Sequence, residues 1–594
     1  NSTMENAVIT KVSDTEIEGS FSSVKRYWGG PKDVKLFFVI RFDKPFKTLN
    51  GWKGLSMQQN ISNYAGDSLR IAAEYSLNKG DVVQMKTGMS YTSISNARNN
   101  LKAECTTWSF DEVKANAQNE WNNWLGRMEV KGGTDAQQVK FYTDLWHVLL
   151  GRHKTNDVSG DYPDRTTGKR EGTFTDAVFK IKRIPKDAAG KLKFNMYNSD
   201  AFWLSHWNLN ILWGLAWPEV MDDFSASMIE YANNGYLLPR GPSGGGYSYI
   251  MTSSPTSNLI VSTYMKGLLT KVDSKHAYEV VKRNHLPGGM LGSKEEINFY
   301  TKNGYWPNNA GISIEAHFQD WGIAQMAAKL NRKSDVAFFN KRANGWPALF
   351  HPQYKLLFPK DEKGAFIHND PLSGQGWVEA NAWQATWGLS HALPQLANMM
   401  GGRDTFARML NFAFEQSRAS DYVYGYTEGY VSYANQPGCS NAHVFSYVGK
   451  PWLTQYWVRR VQEQAYGGIT PDLGYGGHDE DQGQMGGVSA LMSIGLFSVV
   501  GNQSQFPYYE ITSPIFDEVI IKLDNRYYAG KEFKIKTNNN GYTKNYIQSA
   551  ILNGKELNSF WFLHSDFAKG GTLELWLGEE PNKDWGSSQL PPLK

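Results

Sequence analysis

For nearly 370 residues, from about 138 to 499, this chain repeats one pattern, an amphipathic stretch followed by a long loop rich in Gly, Asn and Asp. The stretches fall at 138–152, 202–217, 221–233, 256–269, 314–330, 334–349, 379–396, 403–415, 451–465 and 486–499. Each carries apolar residues at helical spacing, so each has one stripe that must be covered by another helix. A series of about a dozen such helices fits an α/α toroid, in which every inner helix is paired with an outer one.

The flanks read differently. Residues 1–112 show β-branched or aromatic alternation at 8–10, 16–19, 35–41 and 81–91, with turn residues between. A helix is predicted over 111–125. From about 506 the chain returns to strands at 508–513, 518–523, 533–537, 546–552 and 572–577, with the Asn538–Gly541 run as a turn.

Composition narrows the function. The 61 basic and 58 acidic residues are spread along the chain with no basic block, which argues against nucleic acid as a partner. No run of 18 apolar residues predicts a membrane span. Two cysteines, Cys105 and Cys439, exclude a disulfide framework and a cysteine-based zinc site. The 21 Trp, 31 Tyr and 30 Phe often sit among polar and Gly residues. That suits stacking on the C–H faces of sugars, and it also suits a large aromatic core. The N-terminus has no charged-then-apolar export pattern, so any signal is expected outside this sequence; sequons at Asn1, Asn60 and Asn502 are compatible with export.

Two places could carry chemistry. In Gly374-Gln375-Gly376-Trp377-Val378-Glu379-Ala380-Asn381-Ala382-Trp383-Gln384, a Gly-rich loop leads into a predicted helix with Glu379 in its first turn. Trp383, four residues on, would share its face, and an indole beside a carboxyl group excludes water and favours the protonated form a general acid needs. The alternative is a glutamate that complements a helix N-terminus. The second place is Asp479-Glu480-Asp481, between Gly pairs and ahead of a helix. Three acids in a row repel unless a cation or a reacting water is close; the alternative is an acidic N-cap cluster. An EF-hand is excluded, because the twelfth position from Asp479 is Ala490. One protonated and one ionised carboxyl are the equipment of glycoside hydrolysis, and a wide separation admits the water that inverts the anomeric centre.

These motifs resemble glycoside hydrolase family 92, the exo-acting α-mannosidases. The matching segments are Glu379–Gln384, Asp479–Met485, 315–325 with Asp320-Trp321, 449–455, 511–517, and the ending with His564-Ser565-Asp566, Gly570-Gly571 and Pro581-Asn582-Lys583. The resemblance implies a multidomain α+β chain: a partial β-sandwich over 1–112, a helical linker over 113–134, an (α/α)6 toroid over 135–505 carrying catalysis, and a β-rich segment over 506–594 packed on it. It implies inversion, with Glu379 as general acid, Asp481 as general base and Asp479 supporting the same water. It implies Ca²⁺ at the vicinal hydroxyls of a terminal mannose, with Asn435, Gln436 and Asn381 as expected ligands. Asp200, Trp203, Trp383, Glu315, His478 and Arg240 are the expected sugar contacts, with a helix cap as the alternative for Asp200 and a buried structural ion pair as the alternative for Glu315.

Three departures alter those expectations. The family's Asn-Glu-Pro element reads Asn435-Gln436-Pro437, which exchanges a carboxylate for an amide and should weaken calcium. The loop 238–247 lacks the family's acidic and amide residues, and its Arg240 could meet an acidic aglycone. The sequence starts part-way through the family's first sandwich, so a partner segment is expected to complete it. The expected function is an inverting exo-α-mannosidase on glycans, secreted or periplasmic. The alternatives are a related exo-glycosidase for another sugar and a non-catalytic glycan-binding protein.

Overall fold

The computed structural model describes residues 3–24, 33–170, 178–199, 201–476 and 479–593. The chain divides into two compact units. The first comprises Asn1–Asn123, His153–Ala201 and Ala226–Met251; the second comprises Trp124–Arg152, Phe202–Ser225 and Thr252–Lys594.

In the first unit, a five-stranded antiparallel sheet runs in the order Asn63–Gly66, Thr3–Ser13, Glu16–Val24, Asp33–Phe42 and Met85–Ser90. A second antiparallel sheet consists of Ser56–Gln58, Thr48–Lys53 and Leu69–Glu74. Ile9, Ile17 and Tyr64 of the larger sheet share a buried cluster with Leu49 and Leu69 of the smaller one. Two sheets over one core make a sandwich. The strands Thr48–Lys53, Asn63–Gly66 and Leu69–Glu74 are not apparent from the sequence: all are short, the first two carry Gly and Asn, and LRIAAE of the third lacks strict alternation.

The unit also takes in residues that the sequence reading assigned to the helical domain. Asp157 explains the attachment of the 153–201 segment. Its buried carboxylate accepts from Ser90 Oγ at 2.9 Å, Asn100 Nδ2 at 2.7 Å and the Thr92 hydroxyl. Asn96 Nδ2 likewise donates to Asp161 at 2.9 Å. Side-chain hydrogen bonds of this kind have no periodicity and leave no trace in a sequence pattern.

The second unit is mainly helical. Pro255–Met265 packs on Ala310–Lys329, which packs on Lys333–Ala343; Asp135–Leu150 packs on Gln484–Ile494, and that helix on Pro451–Gln464. Helices Ser274–Asn284 and Lys294–Asn303 are additional to those predicted. Their caps, Asp273 accepting from His276 N and the Ser293/Glu296 capping box, were the available sequence signal. At the C-terminal end a six-stranded sheet runs Lys555–Glu556, Tyr546–Leu552, Gly571–Gly578, Glu532–Asn538, Glu518–Lys522 and Met128–Lys131. The residues expected to form only a helical linker therefore also supply an edge strand, which pairs antiparallel with Glu518–Lys522. Asn539, in the predicted turn, has the left-handed φ of 61° that Asn tolerates. Among the described residues no helix is long and apolar enough to cross a membrane.

Candidate active site

Glu379 does not lie in a helix. The helix predicted over 379–396 breaks into Ala382–Ala385, a 3-10 turn Thr386–Gly388 and Leu393–Met399, with Pro394 at the start of the last. Glu379 sits on the loop ahead of it with φ 48°, a left-handed conformation that costs a non-glycine residue on the order of 1–3 kcal/mol and persists where its surroundings impose it. The loop is held by the Trp377 N–H on Gly374 O at 3.1 Å and by the Ala310 N–H on Gly376 O at 2.8 Å, at the start of the helix Ala310–Lys329. Helical spacing from Glu379 to Trp383 therefore does not apply. The Trp383 ring instead packs with Tyr430, Phe412 and Trp387, with centroids at 5.4, 5.9 and 6.4 Å.

The acidic segment splits in two directions. Asp481 and Gln482 are both left-handed, with φ 56° and 54°, and Gly483 follows with φ 93°. Gly483 is required twice over, since a Cβ there would meet His147 O at 2.7 Å. This turn sends Glu480 back to the helix Gln484–Ile494, where its carboxylate accepts from Gly483 N at 2.8 Å and Gly486 N at 3.1 Å. The N-cap position itself is Gly483, and Glu480 meets the helix's first N–H groups from three residues ahead of it. Burial pushes Glu480 up to about 7, against those two hydrogen bonds. Asp479 is exposed and accepts from Tyr426 Oη at 3.3 Å.

Two adjacent amides bring the sequence-distant acids together. Asn435 Nδ2 donates to Glu379 Oε2 at 2.8 Å, and Gln436 Nε2 donates to Asp481 Oδ2 at 2.6 Å. Consecutive residues thus each hold one carboxyl group. Burial raises the pKa of Glu379; the Asn435 hydrogen bond opposes this and the Asp479 charge adds to it. Tyr426, missed in the sequence, is pushed up to about 12, first by burial and then by the charges of Asp479, Asp481 and Glu379. A tyrosine that feels all three carboxyls places them in one neighbourhood.

A cavity, open at its mouth, adjoins this cluster. Val378 and Ala380, which flank Glu379, line it with Pro437, which follows Gln436. Trp203 and Glu315 also line it, their side chains joined by the Trp203 indole N–H on Glu315 Oε1 at 2.7 Å. Both were expected at the site from the sequence. Thr252 Oγ1 reaches the same carboxylate at 3.3 Å. Asn258, Trp377 and His206 also line the cavity, and Asn258 Oδ1, Trp377 Nε1 and both ring nitrogens of His206 are buried without a hydrogen-bond partner among the described residues. Such groups are costly to leave unmet, and ligand hydroxyls could satisfy them.

Other expected residues lie differently. Arg240 belongs to the first unit, where its guanidinium donates to Met251 O at 3.0 Å. Asp200 and His478 lie outside the described residues. Asn381 is not disposed to ligate a metal: it is fully buried, its oxygen caps the Gln384 N–H, and its amide donates to the carbonyls of Thr427 and Gly429, each at 2.9 Å. The sequence could not separate these roles, because a helix cap and a calcium ligand use the same amide oxygen. Asn435 Oδ1 accepts the Gln436 N–H at 3.0 Å, whereas Gln436 Oε1 is buried and unpartnered among the described residues. Among those residues, no three His, Cys, Asp or Glu side chains gather as a metal cluster.

With this geometry in view, the comparisons define the class. The model of the glycosyl hydrolase family 92 catalytic domain matches residues 96–579, and that of the family's N-terminal domain matches residues 1–90. The chain belongs to glycosyl hydrolase family 92. It is 24% identical over 608 residues to an uncharacterized secreted glycosidase of Arthroderma benhamiae, covering 94% of this chain and 68% of that one. It shares the fold of a family 92 α-mannosidase from Bacteroides thetaiotaomicron, with TM-score 0.86, 22% identity, and coverage of 99% of this chain and 75% of that one. It also shares the fold of an inverting family 92 mannosidase from Bacteroides thetaiotaomicron VPI-5482, with TM-score 0.84, 24% identity, and coverage of 98% and 78%.

Proposed function

We propose that this protein is an exo-acting, inverting α-mannosidase that removes terminal α-linked mannose from glycans. The observation that carries the reading is the Asn435-Gln436 pair, which holds Glu379 with one amide and Asp481 with the next. Glu379, its pKa raised by burial, keeps its proton and delivers it to the glycosidic oxygen as that bond breaks. Asp481, aided by Asp479, takes a proton from a water whose oxygen bonds to C1 from the opposite side of the ring. The products are the aglycone alcohol and β-mannose. The cavity beside Glu379 is walled by Trp203, Trp207, Phe318 and Trp377, rings of the kind on which the C–H face of a sugar stacks. The paired helices of the second unit are compatible with an (α/α)6 toroid. Likeness to relatives named as α-mannosidases and as a secreted glycosidase supports the substrate and an exported location.

Calcium is part of the proposal. Gln436 Oε1, a buried carbonyl oxygen without a partner among the described residues, fits a hard cation, and a neutral amide fits a weakly held one. Gln436 would hold the ion, which when bound would supply Lewis acidity at vicinal sugar hydroxyls. Gln436→Glu is expected to tighten calcium binding at least roughly tenfold by calorimetry, because ligand charge sets such affinities; unchanged affinity would remove Gln436 from the site.

The function is tested with α-1,2-, α-1,3- and α-1,6-mannobiose and a panel of nitrophenyl glycosides, each with and without EDTA. Hydrolysis confined to α-mannosides and reduced by EDTA is expected. Turnover of another sugar alone, or tight glycan binding with no turnover, would overturn the reading.

The pH profile gives a separate check. Glu379 acts while protonated, so kcat/KM should fall as pH rises through its raised pKa. The Asn435 hydrogen bond favours the ionised form. Asn435→Ala should therefore move the alkaline limb to still higher pH, and a shift to lower pH would contradict the assignment.

A further inference from the structure

A second cavity, of about 290 Å³, lies in the same unit and shares no lining residue with the one beside Glu379. Arg459, Arg460, Glu463, Asp517, Tyr542 and Asn545 give it its chemistry. The segment 511–517, prominent in the sequence, forms part of this second site: Ile515 and Asp517 line the cavity, while Ser513 Oγ and Pro514 O hold Arg459.

The lining is built. Arg459 is 9% exposed, and its guanidinium donates to Ser513 Oγ at 3.0 Å, Asn540 Oδ1 at 2.8 Å and the Pro514 carbonyl. Arg460 Nη1 donates to Glu463 Oε2 at 2.9 Å and Tyr542 Oη at 3.3 Å, and the guanidinium lies 5.2 Å from the centre of the Tyr542 ring. Two groups are left unmet among the described residues. Asn545 is 5% exposed and its Oδ1 has no donor; Arg460 Nε is buried and has no acceptor.

An unmet acceptor and an unmet donor on two residues that line one cavity suit a ligand whose groups can do both, which is what hydroxyls do. Charge narrows the choice. An anion would meet the Glu463 and Asp517 carboxylates, and a cation would meet two guanidinium groups, so the lining favours a neutral molecule. Tyr542 is 69% exposed and offers a ring against which C–H faces can stack. The volume corresponds to on the order of ten waters, room for a pyranose ring in place of solvent.

We propose that this cavity is a second, non-catalytic saccharide site that takes a neutral sugar unit of a polysaccharide and holds the protein on its glycan. The ligand class follows from the lining and does not rest on the mannosidase reading. The test is native affinity electrophoresis of the full chain carrying Glu379→Gln, in gels containing α-mannan, β-glucan, galactan or xylan. Retardation is expected in at least one gel, and Tyr542→Ala, a change at an exposed ring, should weaken it at least about fivefold. Arg460→Gln should weaken it as well. In the otherwise native protein, Tyr542→Ala should leave hydrolysis of a small aryl glycoside unchanged. Retardation in none of the four gels, or equal retardation of the variants, would overturn the proposal. Failure to hydrolyse mannosides would instead defeat the mannosidase reading and leave the gel result standing.

Discussion

Asp481→Asn is expected to lower kcat by about a thousandfold on every α-mannoside, whatever its leaving group, with KM little changed. Activation of water is needed with good and poor leaving groups alike, so loss of the base should be uniform. The substitution keeps size and shape. The carbonyl oxygen of the introduced amide can still accept the Gln436 Nε2 hydrogen bond that now falls on Asp481 Oδ2, so the left-handed turn has no new reason to move. Steady-state kinetics with aryl mannosides and mannobioses measure the effect. A loss confined to poor leaving groups would give Asp481 the role of acid and reverse the assignment.

Glu379→Gln should behave in the opposite way. An alkoxide leaving group needs a proton and a dinitrophenolate does not. Mannobiose hydrolysis is therefore expected to fall by about a thousandfold, while 2,4-dinitrophenyl α-mannoside loses less than about tenfold. The alkaline limb of the pH profile should vanish with it, because the group whose deprotonation ended activity is gone. The Asn435 Nδ2 donor that now meets Glu379 Oε2 can meet the Gln carbonyl oxygen instead, so a fall on both substrates alike would point to another acid.

Much of this architecture is legible in the sequence, for identifiable reasons. Helices such as Arg403–Gln416 and Pro451–Gln464 carry a 3.6-residue stripe, and strands such as Tyr546–Leu552 carry alternation. Glu379 and Asp481 stand out because one follows a Gly-rich loop and the other lies between Gly pairs. Their backbone is not legible: positive φ at Glu379, Asp481 and Gln482 follows from loop packing and has no periodic signature, so Glu379 was expected in a helix. Amides are the harder case. Asn381, Asn435 and Gln436 look interchangeable as oxygen ligands, yet one caps a helix, one holds Glu379 and one holds Asp481. The first unit's capture of 153–201 rests on buried contacts such as Asp157 with Asn100, which only the folded chain reveals.

The most direct measurement is the configuration of the sugar first released. Proton NMR of an aryl α-mannoside during the first turnovers, before mutarotation, distinguishes the two anomers. The proposed mechanism, with Glu379 and Asp481 acting across one ring and a water between them, predicts β-mannose as the initial product. Initial α-mannose would mean that Asp481 attacks the sugar itself or stands elsewhere, and the division of labour drawn from Asn435 and Gln436 would be wrong.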